Sequence, residues 1–168
     1  WSVKAVAPDH RQFHLQAQTE GFSIDLTVES RKPPVIHGIT GVSRKGQHPE
    51  HTSHYYSLTR LETSGSVVVE GARMAVTGVS WMDHEFGSAD LAEELVGWDW
   101  FSLQLDNDHD IMAYGLRRAD GTFDPASSGT LVSPNGSSTS LSFEEIRVRV
   151  QHHWTSPVSG ARYPSQWT

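Results

Sequence analysis

The sequence predicts an all-β protein, an antiparallel barrel or sandwich built from many short strands. Three observations predict it: apolar and polar residues alternate with period two, turn signals recur between the alternating runs, and only one short stretch has helical character. Phe22, Ile24, Leu26 and Val28 face one way while Ser23, Asp25, Thr27 and Glu29 face the other. Phe13, Leu15 and Ala17 repeat the pattern before a Glu20-Gly21 turn, so the pair reads as a hairpin with one wet face.

Arg31-Lys32-Pro33-Pro34 ends the second strand, and Gly38, Gly41 and Gly46 mark an irregular stretch up to about Pro49. Strands resume from Tyr55 to Leu61, from Val67 to Val69 after Gly65, and from Met74 to Trp81 after Gly71. Asp90 to Leu95 predicts one or two helical turns, capped by Asp90 and stopped by Gly97. Trp98 to Leu105 and Ile111 to Arg117 flank a polar turn at 106–110, the firmest hairpin signal in the chain. Ser133-Pro134-Asn135-Gly136 turns another pair, and Ile146, Val148 and Val150 alternate with Arg147, Arg149 and Gln151.

The 168 residues, 36% hydrophobic and 20% charged, lie in the globular range. Such a chain buries roughly two-thirds of its unfolded surface, so it needs no disulfide or metal staple. Cysteine is absent, which removes thiol catalysis, thiolate metal sites and disulfides and leaves the redox compartment open. A net charge of -7 with 13 scattered basic residues argues against a nucleic-acid partner. Arg147 and Arg149 read as a solvated strand face. No apolar run approaches the roughly 18 residues of a membrane span, and no signal pattern opens the chain. Trp1 stands directly ahead of a strand, so the chain reads as a fragment of a longer protein.

The most informative residues lie between Gly78 and Leu116. The run Gly78-Val79-Ser80-Trp81-Met82-Asp83-His84-Glu85-Phe86-Gly87-Ser88, followed by Gly97-Trp98-Asp99-Trp100-Phe101-Ser102-Leu103-Gln104-Leu105-Asp106, resembles the AttH-like, carotenoid 1,2-hydratase-like family. Tyr55-Tyr56-Ser57-Leu58-Thr59-Arg60-Leu61 resembles that family's upstream strand. Trp154-Thr155-Ser156-Pro157 with Gly160-Ala161-Arg162-Tyr163-Pro164 resembles the start of its second lobe. The resemblance runs from about Tyr55 to the C-terminus. It implies lipocalin-like lobes, with residues 1–141 the later part of a first lobe, residues 142–168 the truncated start of a second, and a ligand site near their junction. It further implies an exported or periplasmic full-length protein and a transport-system partner on the AttH side, or hydration of a terminal isoprenoid double bond on the hydratase side.

Alkene hydration requires an acid to deliver a proton, a water to capture the carbocation and aromatic faces to stabilise the charge between. Asp83 and His84 are the candidate acid and relay, with Glu85 beside them. Enclosure among Trp81, Phe86, Trp98 and Trp100 would disfavour the charged carboxylate and keep Asp83 able to donate. Those four aromatics, with Tyr56 and Tyr114, are the candidate ligand contacts. In the hydratase pattern an acid directly follows the aromatic residue of the strand matching Ile111 to Leu116, whereas here Tyr114 is followed by Gly115, which counts against hydration.

Each group also has a structural reading. Trp98 and Trp100 share a strand face and can simply fill a core, and Asp83 with Glu85 can be a structural pair bonded to backbone amides and indole N–H groups. Asp99 points to the opposite face. His48, His51 and His54, with His37 nearby, invite a metal reading, but Pro49 and the glycines preclude a regular helix and no HExxH pattern occurs, so neither a metal nor a cofactor is expected. His152 and His153 read as surface residues. No G-x-S-x-G elbow or glycine-rich phosphate loop is present, and Asn135-Gly136-Ser137 fits a glycosylation sequon that is a common accident in turns. Three functions follow from this reading: a carrier enclosing an apolar, isoprenoid or lipid-like molecule; a hydro-lyase or isomerase acting through Asp83; and a structural component of a transport assembly whose tryptophans fill a packed barrel.

Overall fold

A computed structural model describes residues 1–6, 8–87 and 92–168. Among the described residues thirteen strands form three antiparallel sheets, and the barrel is not closed. The first sheet begins with β1 (Ser2–Ala5), β2 (Gln12–Thr19) and β3 (Phe22–Ser30), paired in sequence order. β3 then pairs with the C-terminal half of β6 (Thr52–Val69), while two short strands, β4 (Val35–Ile36) and β5 (Val42–Arg44), pair with its N-terminal half. The other edge of β6 is covered along its length by β7 (Ala72–Phe86). The second sheet is a meander of β8 (Leu95–Gln104), β9 (Asp110–Arg118), β10 (Ser128–Val132) and β11 (Ser138–Ser142). A separate hairpin of β12 (Val150–Thr155) and β13 (Arg162–Trp167) touches the second sheet where Trp167 meets Phe101 edge-on at 5.6 Å.

The hairpins at Glu20-Gly21, 106–110 and Pro134-Asn135 fall where the turn residues place them. Gly65 does not. It lies inside the continuous strand β6, and a Cβ there would come within 2.1 Å of the Asp25 carbonyl oxygen, so this glycine permits a close approach of backbones rather than a turn. The helical turns expected over Asp90 to Leu95 are not seen: Asp90 and Leu91 lie outside the described residues, Glu93 and Glu94 form a turn, and Leu95 already belongs to β8. A hydrogen bond from the Leu95 N–H to the Ala92 carbonyl closes that turn. The alternation from Ile146 begins four residues early, because Phe143–Glu145 forms a single 3-10 turn and the strand starts at Val150.

Between Leu58↔Met82 and Leu61↔Ser80 the ladder slips, setting Thr59 and Arg60 opposite the single residue Trp81. This bulge puts two consecutive side chains on one face. Both reach Asp110 of β9: Thr59 Oγ1 donates to its Oδ2 at 2.8 Å and Arg60 Nη2 to its Oδ1 at 2.7 Å. Lys32 completes the cluster, with Nζ 2.7 Å from Asp110 Oδ2 and donating to the Asp108 carbonyl at 2.6 Å. Asp110 is 0% exposed. Tyr55, Leu95, Met112, Tyr114 and Leu116 form the apolar core between the two sheets, with Trp81 packed against it. A second cluster of Val28, Leu58 and Leu61 gathers Phe13, Leu15 and Met82.

Removing one partner of a buried pair leaves an uncompensated charge and costs about 3–5 kcal/mol. Asp110→Ala strands Lys32 in this way, so urea unfolding should show a loss of that size. A loss below about 1 kcal/mol would show that the cluster does not tie the sheets together.

Candidate functional site

The register of β6 and β7 sorts the candidate residues onto two faces. Asp83 pairs with Ser57 and Glu85 with Tyr55, so both carboxylates lie on the face that looks toward the second sheet. His84 pairs with Tyr56 and Phe86 with His54, on the opposite face. There Tyr56 Oη and His84 Nδ1 lie 3.0 Å apart, and the His84 and Phe86 rings stack obliquely at 5.2 Å. The expected relay from His84 to Asp83 is therefore not formed, since successive side chains on a strand point apart. Asp83 and Glu85 do share a face, as do Trp98 and Trp100, which lie opposite Leu116 and Tyr114 on β9.

Between the sheets opens a cleft of about 280 Å3, lined by Tyr55, Tyr114, Trp98, Trp100, Lys45 and Glu85 among others. Lys45 stands over the Tyr114 ring at 4.0 Å from its centroid and over Tyr55 at 5.1 Å, with Glu85 Oε1 2.8 Å from Nζ. A cation is thus already held in the cleft by two π faces and a carboxylate. Sequence reasoning passed over Lys45, because a lone lysine in a glycine-rich loop carries no signal of its own. Trp98 is 58% and Trp100 40% exposed, and Asp83 is also exposed. Asp83 is exposed, so the aromatic enclosure expected around it is not formed among the described residues. No group of three or more metal-ligating side chains occurs among them either.

Behind Asp83 lies a buried polar chain that the sequence did not reveal. Trp100 Nε1 donates to Tyr55 Oη at 3.1 Å, and that hydroxyl donates to Asp83 Oδ1 at 2.8 Å. Ser57 Oγ donates to the same oxygen. His37 Nε2 lies 2.7 Å from Ser57 Oγ, and His37 Nδ1 lies 2.9 Å from Thr130 Oγ1 on β10. A tight turn with positive φ at Thr40 and Gly41 joins β4 to β5, and the His37 N–H bonds the Tyr55 carbonyl at 3.0 Å, so the imidazole is delivered to the sheet interface. Burial pushes the Tyr55 hydroxyl up from its usual range, so it remains a donor.

Fold and cleft together define an all-β protein whose two packed sheets leave an aromatic-walled opening bordered by the Glu85 carboxylate and Lys45. The AttH-like family model matches residues 1–168, and the chain belongs to that family. No curated protein matches it. Among solved structures, a protein assigned to AttH from Nitrosomonas europaea shares 28% identity at a TM-score of 0.87, over 94% of this chain and 48% of that one. Kievitone hydratase from Nectria haematococca shares 19% identity and the fold, at a TM-score of 0.76 over 99% of this chain and 51% of its own. The chain thus spans about half the length of these relatives. The family match extends upstream of the Tyr55 at which the sequence resemblance begins.

Burial holds the His37 imidazole down at about 4. The folded state therefore disfavours its protonation while the unfolded chain takes up a proton near 6.5. Its contribution to stability is complete above pH 6.5 and is lost as the pH falls toward 4, by on the order of 3 kcal/mol. An NMR titration should find His37 neutral at pH 5.5; a midpoint near 6.5 would contradict its burial.

Proposed function

We propose that the cleft encloses an apolar, isoprenoid or lipid-like ligand. The observation that carries this reading is the wall of Tyr55, Tyr114, Trp98 and Trp100 around an open volume that their own side chains do not fill. A structural role for the tryptophans would have them packed, yet both indoles remain exposed at the opening. The hydro-lyase reading asks Asp83 to donate a proton. Two hydroxyls donate to its Oδ1, so that oxygen is occupied as an acceptor and only Oδ2 could deliver a proton. The separate β12–β13 hairpin supports reading residues 142–168 as the start of a second lobe beside the first.

Incubation with acyclic isoprenoids and long-chain lipids, followed by tryptophan fluorescence and ligand mass, tests the proposal. Saturable quenching with unchanged ligand mass is expected, and Trp98→Ala should weaken it at least about tenfold through lost apolar contact. Absence of saturable quenching across the panel would refute the carrier reading. A mass gain of one water, abolished in Asp83→Asn, would replace it with hydration.

A further inference from the structure

The polar groups that line the cleft are mostly engaged with one another. Tyr55 gives its proton to Asp83 and accepts from Trp100 Nε1, so neither side chain has a donor left for a ligand. Tyr114 gives its proton to the Arg44 carbonyl and lies 3.1 Å from Ser43 Oγ, which must therefore donate to it. Ser53 donates to Glu85 Oε1. Thr52, Trp98 and Lys45 keep donors that no oxygen among the described residues takes up, and of these Lys45 alone is charged. Its ammonium has three N–H groups and one oxygen partner among those residues, Glu85 Oε1 at 2.8 Å. Nζ stands over the faces of Tyr114 and Tyr55, both of them cleft walls, so the ammonium lies within the opening.

The charges decide what kind of group this donor suits. Lys45 and Glu85 are the charged residues of the lining, and they neutralise one another with side chains 19% and 38% exposed. A carboxylate brought to Nζ would share that one cation with Glu85 and leave a net negative charge against aromatic walls. An ammonium would meet Lys45 itself. Both arrangements carry a desolvation cost that an uncharged oxygen avoids. A hydrogen bond from a charged donor is roughly twice as strong as a neutral one, so Lys45 outweighs Thr52 and Trp98 in orienting what enters. Resting on the ligand-binding reading above, we propose that Lys45 reads the polar end of the ligand, and that this end is an uncharged acceptor oxygen, a ketone or ester carbonyl on an otherwise apolar skeleton. Tyr55 and Tyr114 hold the ammonium in place, Glu85 supplies its counter-charge and repels acids, and the Trp98 and Trp100 faces are left for the apolar chain.

Two matched pairs of probes test this on the full chain. Geranylacetone and the hydrocarbon in which its C=O is replaced by C=CH2 differ in the acceptor; methyl farnesoate and farnesoate differ in charge. Transfer from water favours the hydrocarbon, so the quantity read is the ketone-to-hydrocarbon affinity ratio, compared between the intact protein and Lys45→Met, which keeps the stem and removes the ammonium. That ratio should fall about tenfold in the variant, the low end for a hydrogen bond to a charged group. At about pH 7.5 the intact protein should bind the ester at least about tenfold more tightly than the ionised acid, and Glu85→Gln should narrow that gap several-fold by removing the competing anion. The carbonyl 13C resonance of labelled geranylacetone bound to the intact protein should lie downfield of its position in hexane, a measurement that requires no variant to fold. A ratio unchanged in Lys45→Met, a carbonyl resonance at its hexane position, farnesoate bound more tightly than its ester, or an ester-to-acid gap untouched by Glu85→Gln would each overturn the proposal while leaving ligand binding intact. Failure of all four probes to bind would instead remove the binding reading on which it rests.

Discussion

The two sheets are held in register by one buried carboxylate. Asp110 is the first residue of β9 and receives Thr59, Arg60 and Lys32 from the opposing sheet and its approach segment. The Thr59-Arg60 bulge makes this possible, because an unbulged strand would send Arg60 to the far face. Arg60 also reaches the Leu105 carbonyl at 3.1 Å, and Gln104 Nε2 returns to the Thr59 and Ser80 carbonyls at 2.8 and 3.1 Å. The bulge thus has its freed carbonyls satisfied across the interface. Two cations against one buried carboxylate would be unbalanced, and Asp108, 3.3 Å from Arg60 Nη1 at the surface, supplies the second negative charge.

This clamp sits at one end of the interface and leaves the other end free to open. From Arg60 and Thr59 through Ser57 to Tyr55 the inward side chains of β6 change from charge-bonded to hydroxyl-bearing to aromatic, and in the cleft the rings of Tyr55 and Tyr114 flank the Lys45–Glu85 ion pair. Tyr55 belongs to both regimes. Its ring packs in the core and its hydroxyl joins the polar chain, so the cleft wall and the Asp83 geometry cannot shift independently.

Strand identity and most turns were legible because they depend on local alternation and on residues such as Asn135-Gly136 whose backbone preferences are intrinsic. Gly65 misled for the complementary reason: its need arises from the Asp25 backbone on a neighbouring strand, which no local window contains. The same limit governs the site. Placing Asp83 and Glu85 on one face required only period two, whereas putting His84 beside Asp83 ignored it. His37, Ser57 and Thr130 are 20 and 73 residues apart in succession and meet only through the pairing of β4 with β6 and the packing of β10 behind them. Histidine in that glycine-rich loop invited a metal reading, yet both of its ring nitrogens are already engaged by hydroxyls.

The Tyr114-Gly115 pair can now be understood in the same terms. Tyr114 faces the cleft and bonds the Arg44 carbonyl at 3.1 Å, so Gly115 faces away from it. A Cβ at Gly115 would come within 2.6 Å of the Phe123 ring and 3.0 Å of Phe143, two rings packed 4.7 Å apart over that backbone. An acid there would have to displace this aromatic pair and would still point out of the cleft. Of the two β7 carboxylates on the inward face, Glu85 lines the opening paired with Lys45, and Asp83 is the one held by hydroxyl donors from two directions.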